Sequence, residues 1–394
     1  MGAFAIYRQP FATGCTLVVQ KDGEVEVLHS FAELNGRSGY VVAPFAISRE
    51  DPLLLIRPDE VVNIPLVSMD NETTQPLNEE RLEELCPGFK ETFASCSVSA
   101  SAVNRMGESQ KKERETMRLR YHIDFSSFHA HLQSGEFQKI VLSRCLHEEM
   151  PAGISPIGLF QKACEHYPRM FVSLLSTPQS GTWLMATPEI LLEGCGGKWR
   201  TIALAGTMDI PEQQEKPDWS TKNIQEQRFV ATYITKCLEQ FLIGEDANNS
   251  YGHDIEEDGP FTVQAANVLH LRSDFNFTLP ENAHIGSLLR RLHPTPAVCG
   301  LPKEQTFDFI RRNESAKRHY YSGFSGPLAL DGNTHLYVSL RCMLINHDGC
   351  HLYAGGGLLR DSDEEQEWEE TEAKMEAMKC LLHDEKAESG QKGS

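Results

Sequence analysis

Long apolar runs are missing from this sequence. No stretch approaches the roughly 18 consecutive apolar residues that a membrane-spanning helix needs, so no membrane partner is expected. Basic charge is scarce as well: 37 Lys and Arg stand against 56 Asp and Glu, a net charge of −19. That balance argues against nucleic acid or an anionic membrane surface as a partner, and an anionic ligand would need a local basic pocket or a metal. The 11 cysteines are scattered from Cys15 to Cys380 without any C-x-x-C pair. They read as isolated thiols in a reducing compartment, not as a disulfide frame or a zinc site. The N-terminus, MGAFAIYRQPFATG, has neither a basic leader with an apolar core nor a transit pattern, so a cytoplasmic location is the expectation.

An apolar fraction of 40% and a charged fraction of 24% are ordinary for a globular chain, and 394 residues by themselves suggest two or three domains. Up to about residue 110 the sequence shows short β-rich runs, at 16–20, 24–29, 40–47 and 53–56, with a polar stretch at 68–75 and a helical one at 77–86. Residues 97–115 are polar and read as a loop. No charged or metal-like constellation is visible there, and the role of this part is read as structural.

From residue 116 strands and amphipathic helices alternate. Residues 121–135 read as a helix ending at Gly135, and 137–147 as a strand with Lys139 near its start, either an exposed edge lysine or one pointing into a site. A helix at 155–167 and a hairpin from 171–176 and 181–187 lead to Thr187-Pro188-Glu189, where a carboxylate is either a turn residue or a general acid aimed into a cleft. The Gly194–Trp199 segment lacks Walker spacing and reads as a hairpin turn. A strand at 200–208 runs into a small-residue turn, Ala205-Gly206-Thr207, and a loop follows at 209–219. A long helix starts near 220, with Glu226 one turn after Lys222, an i,i+4 pair on local grounds. Residues 248–258 read as an acidic surface excursion, 268–278 as a strand and 285–292 as a helix. The proline-rich segment from His293 to Pro302 must be irregular. A helix at 306–318 would carry Glu314 and Arg318, and strands at 320–330 and 335–345 would form a hairpin, leaving Arg341 inside an apolar strand in need of a carboxylate partner.

The stretch that organises the rest is 352–382, LYAGGGLLRDSDEEQEWEETEAKMEAMKCLL. It reads as a short strand, a turn at Gly355-Gly356-Gly357 whose N–H groups could cradle an anion, an Asp361-Ser362-Asp363 cap and a helix. At about 100° per residue, Glu367, Glu370 and Lys374 share a face, with Trp368, Met375 and Leu382 forming an apolar stripe beside it. A solvated acidic first turn is the bland alternative.

Taken in order, FQKIVLSR, TPEILLEG, IALAGT, KNIQEQRFV, LHPTPAVCGLP, IRRNESAKRHYYSGFSG, LYVSLR and AGGGLLRDSDEEQEWEETEAK resemble the motifs of the chorismate-utilising enzymes. These comprise isochorismate synthase, salicylate synthase, and the synthase components of anthranilate and aminodeoxychorismate synthases. The resemblance spans residues 121–382 and overrides the length argument. It implies a single large α/β domain of two stacked, mainly antiparallel sheets flanked by helices, in which residues 1–115 are a β-rich part of the same sandwich, 116–382 the catalytic region and 383–394 a flexible tail. It further implies Mg²⁺ between Glu226 and Glu370 with Glu367 nearby. Chorismate carboxylates would be held by Arg341, Lys374 and the Gly355, Gly356 and Gly357 backbone, and the ring lined by His293, Gly206 and Thr207.

Aminating members that work through a covalent lysine carry it where this chain has Ala205, and water-using members have the lysine found here at Lys139. The resemblance therefore favours isochorismate formation, with Lys139 as base and Glu189 as acid, for menaquinone or siderophore synthesis and with no amidotransferase subunit. Salicylate synthase, an anthranilate synthase component and an inactive chorismate-binding protein are the alternatives. Departures from the family pattern are Thr187 for serine, Gln227 for a histidine, Cys299 for a small residue and Gly356 for alanine.

Overall fold

The computed structural model describes residues 2–66, 78–85, 88, 106–151, 153–210, 217–243, 254–266 and 268–383. The polar stretch at 68–75, most of the loop at 209–219, the start of the acidic segment at 248–258 and the tail beyond 383 lie outside the described residues. The chain begins with β1 (Ala3–Arg8), β2 (Gly14–Gln20), β3 (Glu26–Leu28), β4 (Gly39–Ala43), β5 (Leu53–Ile56), β6 (Glu60–Pro65), α1 (Glu79–Leu85) and α2 (Met106–Gln133). It continues with β7 (Lys139–Glu148), α3 (Pro156–His166), β8 (Phe171–Thr177), β9 (Gly181–Thr187), β10 (Ile190–Cys195), β11 (Lys198–Asp209) and α4 (Thr221–Ile243). It closes with β12 (Ile255–Ala265), β13 (Val268–Thr278), α5 (Ile285–Leu292), β14 (Gly300–Leu301) and α6 (Lys303–Asn313), followed by β15 (Phe324–Leu328), β16 (Asn333–Val338), β17 (Cys342–Asn346), β18 (Gly349–Leu358) and α7 (Glu364–Leu382).

Among the described residues these strands form two antiparallel sheets, ordered β14-β7-β18-β17-β9-β8-β1-β2-β6 and β12-β13-β11-β10-β16-β15-β4-β5-β3. The first six strands are divided equally between the two. β1 shows why the early strands lack a polar alternation: Ala3, Ala5 and Tyr7 pack between the sheets, while Phe4 and Ile6 face the helices on the outside. A strand buried on both faces reads as a continuous apolar run. Across the sandwich the rings of Phe171 and Tyr337 stack at 4.3 Å, and Tyr40 Oη meets Ser173 Oγ at 2.6 Å. Helices α3 and α7 cover the outside of one sheet, and α4 and α5 that of the other.

Several elements differ from the sequence reading, each for a physical reason. Helix α2 begins at Met106, well before residue 121. Ahead of residue 121 it is tied to α7 by ion pairs, Arg114 to Glu372 and Arg118 to Glu364 and Glu365. The acidic segment contains the start of β12, whose charges and Pro260 suit an exposed sheet edge that must not recruit another strand. Helix α6 ends at Asn313, so Glu314 and Arg318 pair in the turn that follows it. Residues 335–345 are two strands in different sheets, β16 and β17, not one.

That last correction positions the site. Two of the chain's passages from one sheet to the other lie side by side, through Pro188-Glu189 between β9 and β10, and through Ser339-Leu340-Arg341 between β16 and β17. Backbone hydrogen bonds tie the two crossings together, Val338 N to Glu189 O at 2.9 Å and Ala186 N to Arg341 O at 3.0 Å. Arg341 has a φ of +42°, a left-handed conformation that a continuing strand would not tolerate.

At the other side of the site, α7 is fixed by its cap and by one aromatic ring. The Asp363 carboxylate accepts from Glu365 N and Gln366 N at 3.1 Å each. The guanidinium carbons of Arg144 and Arg118 lie 3.8 and 4.7 Å from the Trp368 ring centroid. Trp368→Ala is expected to destabilise the protein by about 3 kcal/mol, read as a lowered urea midpoint, with Trp368→Phe falling between the two.

Candidate active site

A cleft enclosing about 630 Å³, open solvent included, lies where β7 and β18 of one sheet face β11 and β13 of the other. Its walls include Glu189, Gly206, Thr207, Glu226, His270, Tyr321, Arg341, Gly355, Gly357 and Lys374. Most of the residues singled out from the sequence therefore converge, although they come from strands, helices and crossings far apart in the chain.

The three glycines make no turn. They belong to β18, paired with Ser143, Leu142 and Val141 of β7 along one edge, while β17 pairs no further than Tyr353 on the other edge, where Gly355 and Gly357 line the cleft. What the sequence needs here is the lack of side chains. A Cβ on Gly357 would run into Glu226 Oε1 and lie 2.9 Å from Lys139 Cε. A Cβ on Gly356 would lie 2.9 Å from Glu367 Oε2 and 3.8 Å from Glu370 Oε1. On Gly355 it would lie 2.9 Å from the Tyr321 hydroxyl.

Into that space come three glutamates, each met by a lysine. Lys139, fully buried at the start of β7, places Nζ 2.9 Å from Glu226 Oε1 without an aligned hydrogen-bond acceptor. Lys222 pairs with Glu367, and Lys374 Nζ donates to Glu370 Oε1 at 2.6 Å and to Gly355 O at 2.9 Å. The i,i+4 pairing of Lys222 with Glu226 expected from spacing is replaced by these longer-range pairs. Burial pushes the Glu226 carboxyl up, but Lys139, Lys374 and Lys222 outweigh it and hold the group below its ordinary range. Burial and the neighbouring Glu370 raise Glu367 against the pull of Lys222 and Ser362. Glu367 Oε2 is buried with no hydrogen-bond partner.

Glu189 faces the cleft from the first crossing, its backbone N–H donating to Thr187 Oγ1 at 3.3 Å. The threonine that stands for the family's serine thus keeps the local turn. Burial lifts the Glu189 carboxyl to about 8, against the opposing charges of Lys139, Arg341 and Lys374. Arg341, at the second crossing, is itself pulled down to about 10 by burial, and its Nε has no hydrogen-bond partner.

His293 does not reach the cleft. It caps the end of α5 with Nε2 3.2 and 3.3 Å from the carbonyls of Pro44 and Phe45, wedged edge-on against Phe31 and Phe324. Burial and the Lys303 charge push its pKa down to about 3. The rest of that irregular segment still contributes, because Ala297 and Val298 line the cleft. The buried Glu314–Arg318 pair holds it there, with Arg318 donating to Val298 O at 2.7 Å and Val141 O at 2.8 Å.

The histidine in the cleft is His270 of β13, which sequence reasoning missed. Its Nε2 accepts from Arg341 Nη2 at 2.8 Å, and its Nδ1 donates to Gly206 O at 3.0 Å. Burial, then Arg341 and Lys374, keep it neutral, with a pKa well below its ordinary value. It sits opposite a bulge in β11 where the pairing shifts between Ala205 and Thr207. Gly206 fills the bulge at φ +75°, where a Cβ would lie 2.9 Å from Asn223 O. The expected small-residue turn is thus a bulge inside a strand that continues to Asp209. His270, Arg272 and Asp274 form one polar row along β13, a pattern that a solvent-facing strand shares. Gln227, where the family pattern has a histidine, turns away from the glutamates and donates to Ser273 Oγ of β13 at 2.9 Å.

With this geometry in view, a family model described as chorismate binding enzyme matches residues 67–383. The isochorismate synthase MenF of Escherichia coli (strain K12) is 30% identical over 264 residues, which is 64% of this chain and 57% of that protein. The salicylate biosynthesis isochorismate synthase of Pseudomonas aeruginosa is 30% identical over 296 residues, 72% and 58% of the two chains. This chain thus spans somewhat more than half the length of these curated relatives. Among solved structures, a Bacillus anthracis protein assigned as the 2,3-dihydroxybenzoate-specific isochorismate synthase DhbC superposes with a TM-score of 0.71 at 21% identity, covering 96% of each chain. The E. coli MenF structure gives 0.65 at 22% identity, covering 97% of this chain and 89% of that one. At these identities the structural likeness carries the fold alone.

The buried acid at position 189 has a signature in stability. In the unfolded chain the carboxyl ionises near 4.5, whereas in the fold it does so near 8. Its stabilising neutral form is fully present below pH 4.5 and is lost as pH rises through 8. Glu189→Gln keeps the neutral shape at every pH, so its melting temperature relative to wild type is expected to rise steadily between pH 5 and 8.5 in parallel thermal melts. A constant difference would place Glu189 in a wetter site than the structure gives it.

Proposed function

The chain belongs to the chorismate-binding enzymes, and from that premise we propose that it is an isochorismate synthase, converting chorismate to isochorismate by adding water at C2 with loss of the C4 hydroxyl. The observation that carries this reading is Glu189, a carboxyl in the cleft wall that burial lifts to about 8, with Lys139 buried behind Glu226 of the same cleft and near enough for its charge to act on Glu189. A protonated acid and an amine at one site are what a water-for-hydroxyl exchange asks for. Lys139, in its neutral amine form, takes a proton from the attacking water, the C2–O bond forms, the ring double bond shifts, and Glu189 delivers its proton as the C4–O bond breaks and water leaves. One proton is taken and one given, so the reaction is a net isomerisation, and return of a proton from Lys139 to Glu189 resets the pair.

Arg341 and Lys374 supply the positive charge that an overall acidic protein needs for a substrate with two carboxylates. Arg341 is oriented by neutral His270 and retains its unused Nε donor. His270 in turn is held by the Gly206 carbonyl, so the bulge in β11 aims the guanidinium. Ala205, in the place of the covalent lysine of aminating relatives, leaves the cleft without an amine on that strand and supports water as nucleophile.

Glu226, Glu367 and Glu370 would hold Mg²⁺. The donor set is all oxygen, as a hard cation requires, and the partnerless Glu367 Oε2 supports the fit, although the three carboxylates, each drawn to a lysine, do not converge within 4.8 Å of one another. When bound, the ion would neutralise a substrate carboxylate. Menaquinone or siderophore synthesis is the downstream use that the relatives suggest.

Purified protein incubated with chorismate and Mg²⁺ is expected to form isochorismate without ammonium, resolved by chromatography. Lys139→Ala and Glu189→Gln should each lower kcat by about 10² to 10⁴-fold. Salicylate with pyruvate, or anthranilate dependent on ammonium, would replace this reading by a different member of the family, and no turnover would leave a binding protein. In the wild type, kcat/KM should fall as pH rises past about 8, where Glu189 loses its proton. An alkaline limb unchanged in Glu189→Asp would remove Glu189 as the acid.

A further inference from the structure

We propose that the outer end of the β7–β18 ladder carries a second metal site, for a divalent transition ion of the zinc class, built from His147, Asp348 and His351. The two histidines are direct partners in the antiparallel ladder, and their ring centroids lie 5.1 Å apart. Asp348 is in the turn joining β17 to β18. One ligand atom from each of the three lies within 4.8 Å of the others, and among the described residues no other three His, Cys, Asp or Glu do so.

The backbone makes this convergence durable. Directly opposed residues on one sheet face have Cβ atoms about 5 Å apart, so two imidazoles reach one ion with side-chain rotation alone. Gly349, at φ +140°, preserves the space: a Cβ there would lie 2.5 Å from Glu148 O and 2.9 Å from His147 Nε2. His351 Nε2 is 3.7 Å from Asp348 Oδ1, and His147 Nε2 is 3.1 Å from the Asp348 carbonyl oxygen. Binding through His147 Nε2 exchanges that hydrogen bond for a metal bond and moves the imidazole proton to Nδ1. The side chains of His351 and Asp348 are 27% and 52% exposed, so an ion can enter from solvent.

The ligand chemistry separates this site from the glutamates of the cleft. Imidazole nitrogen suits Zn²⁺, Co²⁺, Ni²⁺ and Cu²⁺, whereas Mg²⁺ prefers oxygen and keeps its waters. Two imidazoles and one carboxylate leave a fourth tetrahedral position for water. None of the three residues lines the cleft.

The test uses untagged full-length protein stripped with chelator and titrated with Co²⁺. The expected result is one saturating equivalent with d–d absorption bands of a nitrogen-ligated ion, displaced by Zn²⁺, together with a rise in melting temperature in Zn²⁺. Both signals should be lost in His351→Gln and in His147→Gln, each melting like wild type in chelator, and both should survive Glu370→Gln. Absence of saturable binding, bands unchanged in the two histidine variants, or bands lost in Glu370→Gln would overturn the proposal. The last outcome would mean that the ion had bound in the cleft. The readout does not use turnover, so the proposal stands or falls independently of the reaction assigned to the enzyme.

Discussion

Three lysine–glutamate pairs pressed against a stretch of strand with no side chains form the constraint around which this structure is arranged. Taking so many charges out of water is costly, and removing one partner of a buried pair costs more than the pair contributes. The site can therefore exist only if every carboxylate has its counter-charge and every counter-charge has room. The room comes from Gly355, Gly356 and Gly357, which let α4 and α7 bring their carboxylates onto β18. The counter-charges come from β7, α4 and α7. Clamps around this centre, such as the Arg144–Trp368–Arg118 stack and the Glu314–Arg318 pair, keep the walls from relaxing outward.

The opposite wall rests on a different device. Glu189 and Arg341 are placed where the chain leaves one sheet for the other, and two backbone hydrogen bonds join the crossings. A residue at such a crossing has no strand neighbour on one side, so its side chain can project into the gap between sheets. The acid and the guanidinium owe their burial to this topology, not to local apolar sequence.

Much of this was legible in the sequence, and the failures have particular causes. Strands, helices and the α7 cap followed from periodicity and punctuation, and the ordered motifs pointed to the catalytic end. The glycine run was read as a turn because glycine's freedom in φ is its best-known property; here its use is steric, and only the positions of Glu226 and Glu367 reveal it. Arg341 was assigned to a strand interior because a sheet crossing has no composition of its own. His293 was placed at the ring by the family resemblance, and His270 went unnoticed because a histidine in an alternating strand looks like an ordinary exposed residue. Helix α2 started too late in the reading because the sequence before residue 121 is polar, and the ion pairs of Arg114 and Arg118 with α7 leave no apolar periodicity.

The division of the first six strands between both sheets has a consequence for how the chain is made. Strand β1 pairs with β2 and also with β8, and β4 with β5 and also with β15 at Phe324–Leu328, so each completes its second edge only when a strand much further along the chain has been made. At about 5–20 residues per second of synthesis, β4 waits on the order of ten seconds or more for its second neighbour. During that interval the nascent chain presents strands that are hydrophobic on both faces with one edge unpaired, the kind of surface through which partly made chains aggregate.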